Sequence, residues 1–158
     1  MRRYRELVED ILLIFAIAAV LLFPLALSMF LNTSIPLAAV ESTSMVPTLN
    51  VGDVVVVTGV DPGSIKIGDI IVFNKIVYLP GKNYEKQLQT PVVHRVIDIV
   101  KKGGLRYFKT KGDANPLPDH WYVPEDAVLG KVLCLNGEPF RIPYVGYFSI
   151  FFHDIIGD

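Results

Sequence analysis

Two hydroxyls stand two residues apart in the stretch Ser42-Thr43-Ser44-Met45-Val46-Pro47-Thr48. In an extended segment side chains repeat with period two, so Ser42 and Ser44 are expected on one side of the backbone, one able to attack while the other donates. Pro47 fixes its own φ and biases Val46 away from helix, which predicts a sharp turn after Ser44 that leaves its hydroxyl and N–H accessible. Acyl transfer at a serine also needs a base for the proton, a group that orients the base, and donors for the oxyanion. His94, inside a β-patterned run, is the candidate base; Asp119 or Asp113, in one loop, is the candidate orienter; Ser42 and the N–H of Ser44 are the candidate oxyanion donors. Their order along the chain is no obstacle, because such constellations are defined by geometry. Each residue also has a plainer reading, since hydroxyls before proline make turns and a histidine in a strand is most often half-buried packing. Two competitors follow: a tethered β binding module in which Ser44 and His94 are incidental, and a metal site of His94, Asp113, Asp119 and His120. The second is disfavoured because the spacing matches none of the common zinc patterns.

The elements that must position these groups begin with an apolar segment. The chain has 158 residues, 51% of them hydrophobic and 20% charged, and its mean hydropathy of +0.42 is high for a chain wholly in water. That length has room for one membrane anchor and one domain of about 120 residues. Residues 1–10 carry Arg2, Arg3 and Arg5, and residues 11–31 carry no charge. At about 1.5 Å per residue a helix over 11–31 spans about 30 Å, the thickness of a bilayer's hydrocarbon core. Pro24 is tolerated in such a helix. The arginines predict a cytoplasmic N-terminus, 1–10, with everything after Leu31 on the outer or lumenal side. A removable signal peptide ending near Ala26-Leu27-Ser28 is the competing reading, but the apolar core of such peptides is usually about 7 to 15 residues. A net charge of −1 argues against a nucleic-acid partner.

Residues 32–39 read as a linker and 40–158 as the extracytoplasmic domain. From there the pattern is β. Gly52-Asp53 leads into Val54-Val55-Val56-Val57, and Gly68-Asp69 into Ile70-Ile71-Val72-Phe73, each a β-branched run opened by turn residues. This makes Asp53 and Asp69 turn formers. Residues 74–90, with Pro80-Gly81 as a turn signal, read as a surface excursion. A strand over 91–100 turns back through Lys101-Lys102-Gly103-Gly104 into a second over 105–110. Lys101, Lys102, Arg106, Lys109 and Lys111 read as a solvated strand face rather than a lipid-headgroup site. Residues 128–135 predict a late strand that buries Cys134, the only cysteine. The aromatic tail at 142–152 is too short to span a bilayer, and is expected either at the membrane interface or as a last strand in the core. No helix of normal length is expected after Leu31, so the fold class is mainly β, preceded by one transmembrane helix.

Taken in order, the anchor, Ser42-Thr43-Ser44-Met45-Val46-Pro47-Thr48, Gly68-Asp69-Ile70-Ile71-Val72-Phe73, Val93-His94-Arg95-Val96-Ile97, Lys111-Gly112-Asp113-Ala114-Asn115 with Asp119, and Arg141-Ile142-Pro143-Tyr144-Val145-Gly146-Tyr147 resemble a type I signal peptidase over nearly the whole chain. The resemblance implies a signal-peptidase-like β domain and an outer-face endopeptidase that removes signal peptides from exported preproteins. Ser44 is then the nucleophile. A histidine at position 94, where the bacterial branch has lysine, is similar to the archaeal and endoplasmic-reticulum branch. That branch makes Asp119 the partner of the histidine and Asp113 an essential or supporting carboxylate. Thr43 and Ala114 depart from the glycine and asparagine common at those positions. The resemblance implies no cofactor and no metal. It also implies an extended substrate lying as a strand beside Val40 and Glu41 on one side and Thr90, Pro91, Val92 and Val93 on the other, with small pockets that select small side chains. The lipid bilayer is the other implied partner, and the secretion translocon is a candidate one.

Overall fold

In a computed structural model the described residues are 2–78, 84–148 and 150–151. The first element is a single helix, α1 (Arg2–Leu31), with Pro24 inside it. Residues Leu7–Leu31 are long and apolar enough to cross a membrane, with mean hydropathy 2.8 and none of the most apolar window buried against the rest of the chain. The helix ends on Asn32 in the left-handed region (φ 51°). Thr33 N–H donates to the Ser28 carbonyl and Asn32 N–H to that of Met29. Those bonds satisfy carbonyls that the last turn leaves without helical partners.

Among the described residues ten strands follow: β1 (Leu37–Ala39), β2 (Val54–Thr58), β3 (Ile70–Tyr78), β4 (Tyr84–Lys102), β5 (Leu105–Lys111), β6 (Val123–Pro124), β7 (Val128–Val132), β8 (Cys134–Leu135), β9 (Glu138–Pro139) and β10 (Arg141–Ile142). The main sheet runs β1-β2-β7-β3-β4-β5-β6, with β10 also on β2, while β8 and β9 pair by themselves. All pairings are antiparallel. The uninterrupted apolar run in β3 is explained by its place in the middle. Ile70 and Val72 pack into one buried cluster with Val55, Val57 and Met45, whereas Ile71 and Phe73 pack into the other with Val96, Phe108 and Val123. A strand covered on both faces needs no polar alternation.

The two Gly-Asp strand openings are the same turn made twice. Gly52 (φ 85°) and Gly68 (φ 98°) take the left-handed conformation, and each following aspartate accepts the N–H three residues back, Asn50 to Asp53 and Lys66 to Asp69, at 2.9 Å. Gly103 and Gly104, both at positive φ, close the β4–β5 hairpin between the paired Lys102 and Leu105.

Outside the segment that carries Ser44, the structure departs from expectation in five places. Residues 37–39, read as linker, form β1, because their backbone groups pair with β2. The stretch 74–90 is largely strand: β3 and β4 continue as a paired arm through Tyr78↔Tyr84, and Pro80-Gly81 lies outside the described residues. The late strand stops at Val132, and Cys134 is exposed. The physical reason is that β8 leaves the main sheet to pair only with the short β9. Arg106 and Lys109 are not free members of a solvated face, since Arg106 donates to the carbonyl of Gly63 and Lys109 lies 4.3 Å over the ring of Tyr122. Finally, the tail is helical over the described residues from Gly146, not a strand, and it leaves Tyr144, Phe148 and Phe151 largely exposed.

Candidate active site

Ser44 sits in a one-turn 3-10 helix, Thr43–Met45, rather than in a strand. The turn ends where expected: Val46, ahead of proline, is extended (φ −65°, ψ 139°) and cannot continue it. Met45 and Leu49 are fully buried and pin this turn to the core. Ser42 precedes it in extended conformation, and the two hydroxyls still meet, with Ser42 Oγ 3.0 Å from Ser44 Oγ. The N–H of Ser44 belongs to the first turn, whose donors have no acceptor within the helix.

His94 arrives on β4, opposite Ile71 of β3, and is buried. Its Nε2 lies 3.2 Å from Ser44 Oγ, and its Nδ1 lies 2.6 Å from Asp119 Oδ2. The ring of Phe73 meets the imidazole edge-on at 6.5 Å. Asp119, also buried, receives a second bond on the same oxygen from the hydroxyl of Thr110, at 2.6 Å. An ionised carboxylate only accepts, so Nδ1 carries the proton toward Asp119. Nε2 is then left to accept from the Ser44 hydroxyl, and Ser42 is the donor to Ser44.

Asp113 stands apart from this relay. Its two oxygens take Arg95 Nε at 2.8 Å and Nη2 at 2.6 Å, and the hydroxyl of Thr48 at 2.6 Å. Burial opposes the charge of Asp113, but the bonds from Arg95 and Thr48, helped by the guanidinium's charge, outweigh it and hold the carboxyl below the ordinary aspartate range. The loop carrying both acids is tied directly to the nucleophile: Ala114 N–H donates to the carbonyl of Ser44 at 2.8 Å. His120, a member of the alternative metal set, is exposed and outside this network. Among the described residues no three of His, Cys, Asp and Glu are grouped to hold a metal ion.

These groups open onto a cleft of about 590 Å³. Val40, Glu41, Ser42, Thr90, Pro91, Val92 and Val93, expected from the sequence, line it together with Ser44, His94 and Asp119. So do Ile35, Ala38, Ala39, Met45, Asn115 and Trp121, which were not anticipated. Ala38 and Ala39 lay in the presumed linker, and Trp121 follows the loop; the cue available for both was only their closeness to the reactive segments.

Each wall of the cleft is paired on its far side and presents an unpaired backbone edge to the opening. On one wall Val40 spends its N–H on Asp53 and its carbonyl on Gly52, so the alternation of a strand turns the groups of Ala39 and Glu41 the other way. On the other wall β4 is paired to β3 through Val92, Val93 and His94, while its pairing with β5 begins only at Arg95↔Lys111. Between the pairs Phe73↔Val92 and Lys75↔Gln87 the register shifts, and Thr90 and Pro91 lie in the bulge. Proline has no N–H to give a ladder and suits that position.

A family model described as "Signal peptidase, peptidase S26" matches residues 7–101. Signal peptidase I W of Bacillus subtilis is 33% identical over 96 residues, covering 60% of this chain and 45% of that protein. The human signal peptidase complex catalytic subunit SEC11C is 31% identical over 128 residues, covering 75% of this chain and 58% of its own length. An uncharacterized protein of Methanocaldococcus jannaschii is 47% identical over 60 residues, or 38% of this chain and 30% of that one. The matched part thus spans from under a third to somewhat over half of these relatives.

Proposed function

Because the chain belongs to the signal peptidase family, peptidase S26, we propose that it is a membrane-bound serine endopeptidase that cleaves N-terminal signal peptides from exported preproteins after small residues. The observation that carries this reading is the contact chain Asp119–His94–Ser44 at the floor of a cleft with two open strand edges. In the proposed reaction the Ser44 hydroxyl attacks the scissile carbonyl as neutral His94 takes its proton at Nε2. Asp119 holds Nδ1–H and with it the ring's tautomer and orientation. The oxyanion is met by the N–H of Ser44 and by the Ser42 hydroxyl, which swings from Ser44 Oγ once that oxygen is bonded to carbon. His94 then gives its proton to the leaving amine. The acyl ester on Ser44 is hydrolysed when the same imidazole activates a water. Asp113 acts at one remove, bracing Arg95 beside the base and Thr48 beyond the nucleophile.

The substrate enters as an extended strand between Ala39–Glu41 on one side and 90–93 on the other, with backbone pairing for affinity. Alternate side chains then face the enzyme, and the cleft wall at Ala38, Met45 and Val93 leaves room for small apolar ones. The arginines ahead of α1 favour a cytoplasmic N-terminus and a single pass, with the β domain on the outer or lumenal face of the cell membrane or endoplasmic reticulum. The exposed aromatic tail then suits the headgroup region, and the translocon is a candidate neighbour. Purified full-length protein in detergent, given a synthetic preprotein, tests the core of this reading. Cleavage is expected, with a fall of about 10⁴ to 10⁶ in Ser44→Ala; near-normal turnover in that variant would remove Ser44 from the mechanism.

A further inference from the structure

β5 presents alternate residues to the core, and the inward positions are Phe108 and Thr110, both fully buried. A buried inward position on a strand is ordinarily apolar, and valine would fill nearly the same space as threonine. What Thr110 adds there is a hydroxyl, and that hydroxyl is spent on Asp119 Oδ2 at 2.6 Å. The same oxygen faces His94 Nδ1 at 2.6 Å. The backbone closes the arrangement, since Asp119 N–H donates to the carbonyl of Thr110 at 2.9 Å.

From this convergence we infer that Thr110 is a positioning residue for the reaction proposed above, the fourth member of the relay, which sets the carboxylate of Asp119 so that one oxygen faces the imidazole. The inference rests on that reading of the site. A carboxylate turns about its terminal bond over a broad range. With the backbone of Asp119 anchored, the side chain keeps its two torsions, and a second donor on Oδ2 restricts both. Thr110 is paired to Val96 on β4, two residues from His94. The strand that carries the base therefore also sets the position of the hydroxyl that aims the base's partner. Thr110 does not itself line the cleft and reaches it only through Asp119, so its loss should weaken turnover without weakening substrate binding.

The test compares Thr110→Val, which keeps the shape, with Thr110→Ser, which keeps the hydroxyl, in the full-length protein. Two readouts are taken: kcat and KM on a synthetic preprotein, and the proton resonance of His94 Nδ1–H, which a short bond to a carboxylate moves far downfield. Thr110→Val is expected to lower kcat about 10- to 100-fold, as the loss of a bond to a charged group implies, with KM within about twofold. It should also move or broaden the resonance, and Thr110→Ser should restore both. A Val variant that keeps the resonance and kcat overturns the inference, as does a Ser variant as impaired as Val, which would make the effect one of packing. The resonance is read without substrate. An inactive wild type that loses it only in Thr110→Val would therefore count against the peptidase reading and for the positioning role.

Discussion

Asp113 and Asp119 lie six positions apart in one loop and have different surroundings. Asp119 touches the imidazole and a buried hydroxyl, while Asp113 is forked by Arg95 and Thr48. Asp119→Asn should therefore cost turnover most, about 10⁴-fold if the asparagine imposes the wrong tautomer. Asp113→Asn should instead cost stability in a pH-dependent way. Its carboxyl is held below the ordinary range in the fold. It follows that the contribution is complete above the unfolded value of about 3.9 and is lost as pH falls through the lower folded one. Denaturant unfolding of wild type and Asp113→Asn should show the widest gap near neutral pH and a closing gap below about pH 4. A gap independent of pH would mean that the charge of Asp113 does not brace the fold. Residue types alone pointed to Ser44 and His94 but left the two acids interchangeable, and only the family resemblance favoured Asp119 as the partner of the histidine. Which acid reaches the base depends on the β4–β5 register, and no local pattern encodes that. Thr110 was hidden for a similar reason, since a β-branched residue at an inward position reads as ordinary strand.

At the level of elements, the site is an assembly of three pieces brought against one another: the 3-10 turn, β4 and the acid loop. The tightest joint is between turn and loop. A Cβ on buried Gly112 would stand 2.6 Å from the Ser44 carbonyl oxygen, 3.0 Å from Ser44 Cβ and 2.8 Å from Asn115 Nδ2. Two of those atoms belong to the nucleophile's own residue, one of them backbone, so relief requires the turn or the loop to move. Gly112→Ala is expected to lower kcat/KM about 10- to 100-fold, because a displacement near 1 Å can cost that much. The β clusters on either side of β3 should remain folded. Kinetics alongside thermal unfolding checks this, and full activity would show that the joint is slack. The strands at 54 and 70 were legible because a turn chemistry opens each and β-branched residues fill them. The arm built by β3 and β4 was not, because the polar sequence of its β4 half looks like loop, although Ile76 and Val77 on its β3 half are buried. Cys134 misled for the opposite reason, in that a short apolar run looks buried whether or not the main sheet continues beneath it.

On the scale of the whole molecule, the question is how a helix suited to a bilayer and a β domain are held together. The chain does more than connect them. Gly59 N–H, just past β2, donates to the Leu31 carbonyl at 2.7 Å, and the Thr33 hydroxyl donates to the Leu129 carbonyl at 2.8 Å. One bond ends on the last residue of α1 and the other begins two residues later, so the domain is fastened where the apolar helix stops. Only a dozen residues then separate Leu31 from Ser44. In the membrane-bound arrangement proposed above, this fastening would carry the cleft at a set height above the membrane surface. The close approach depends on glycine: a Cβ at position 59 would lie 1.8 Å from the carbonyl oxygen of Asn32, a backbone atom with no rotamer to escape through. Gly59→Ala should therefore break the bond to Leu31 and loosen the domain on its anchor. The relay of Ser44, His94 and Asp119 lies on other segments and should survive, so a short soluble peptide should be cut at close to the wild-type rate. A preprotein whose apolar segment sits in a bilayer should be cut several-fold more slowly, because its cleavage site no longer meets the cleft at a fixed depth. Equal slowing of both substrates would place the damage in the domain rather than the joint. Equal rates for both would mean that the distance from helix to cleft is set by the linker alone.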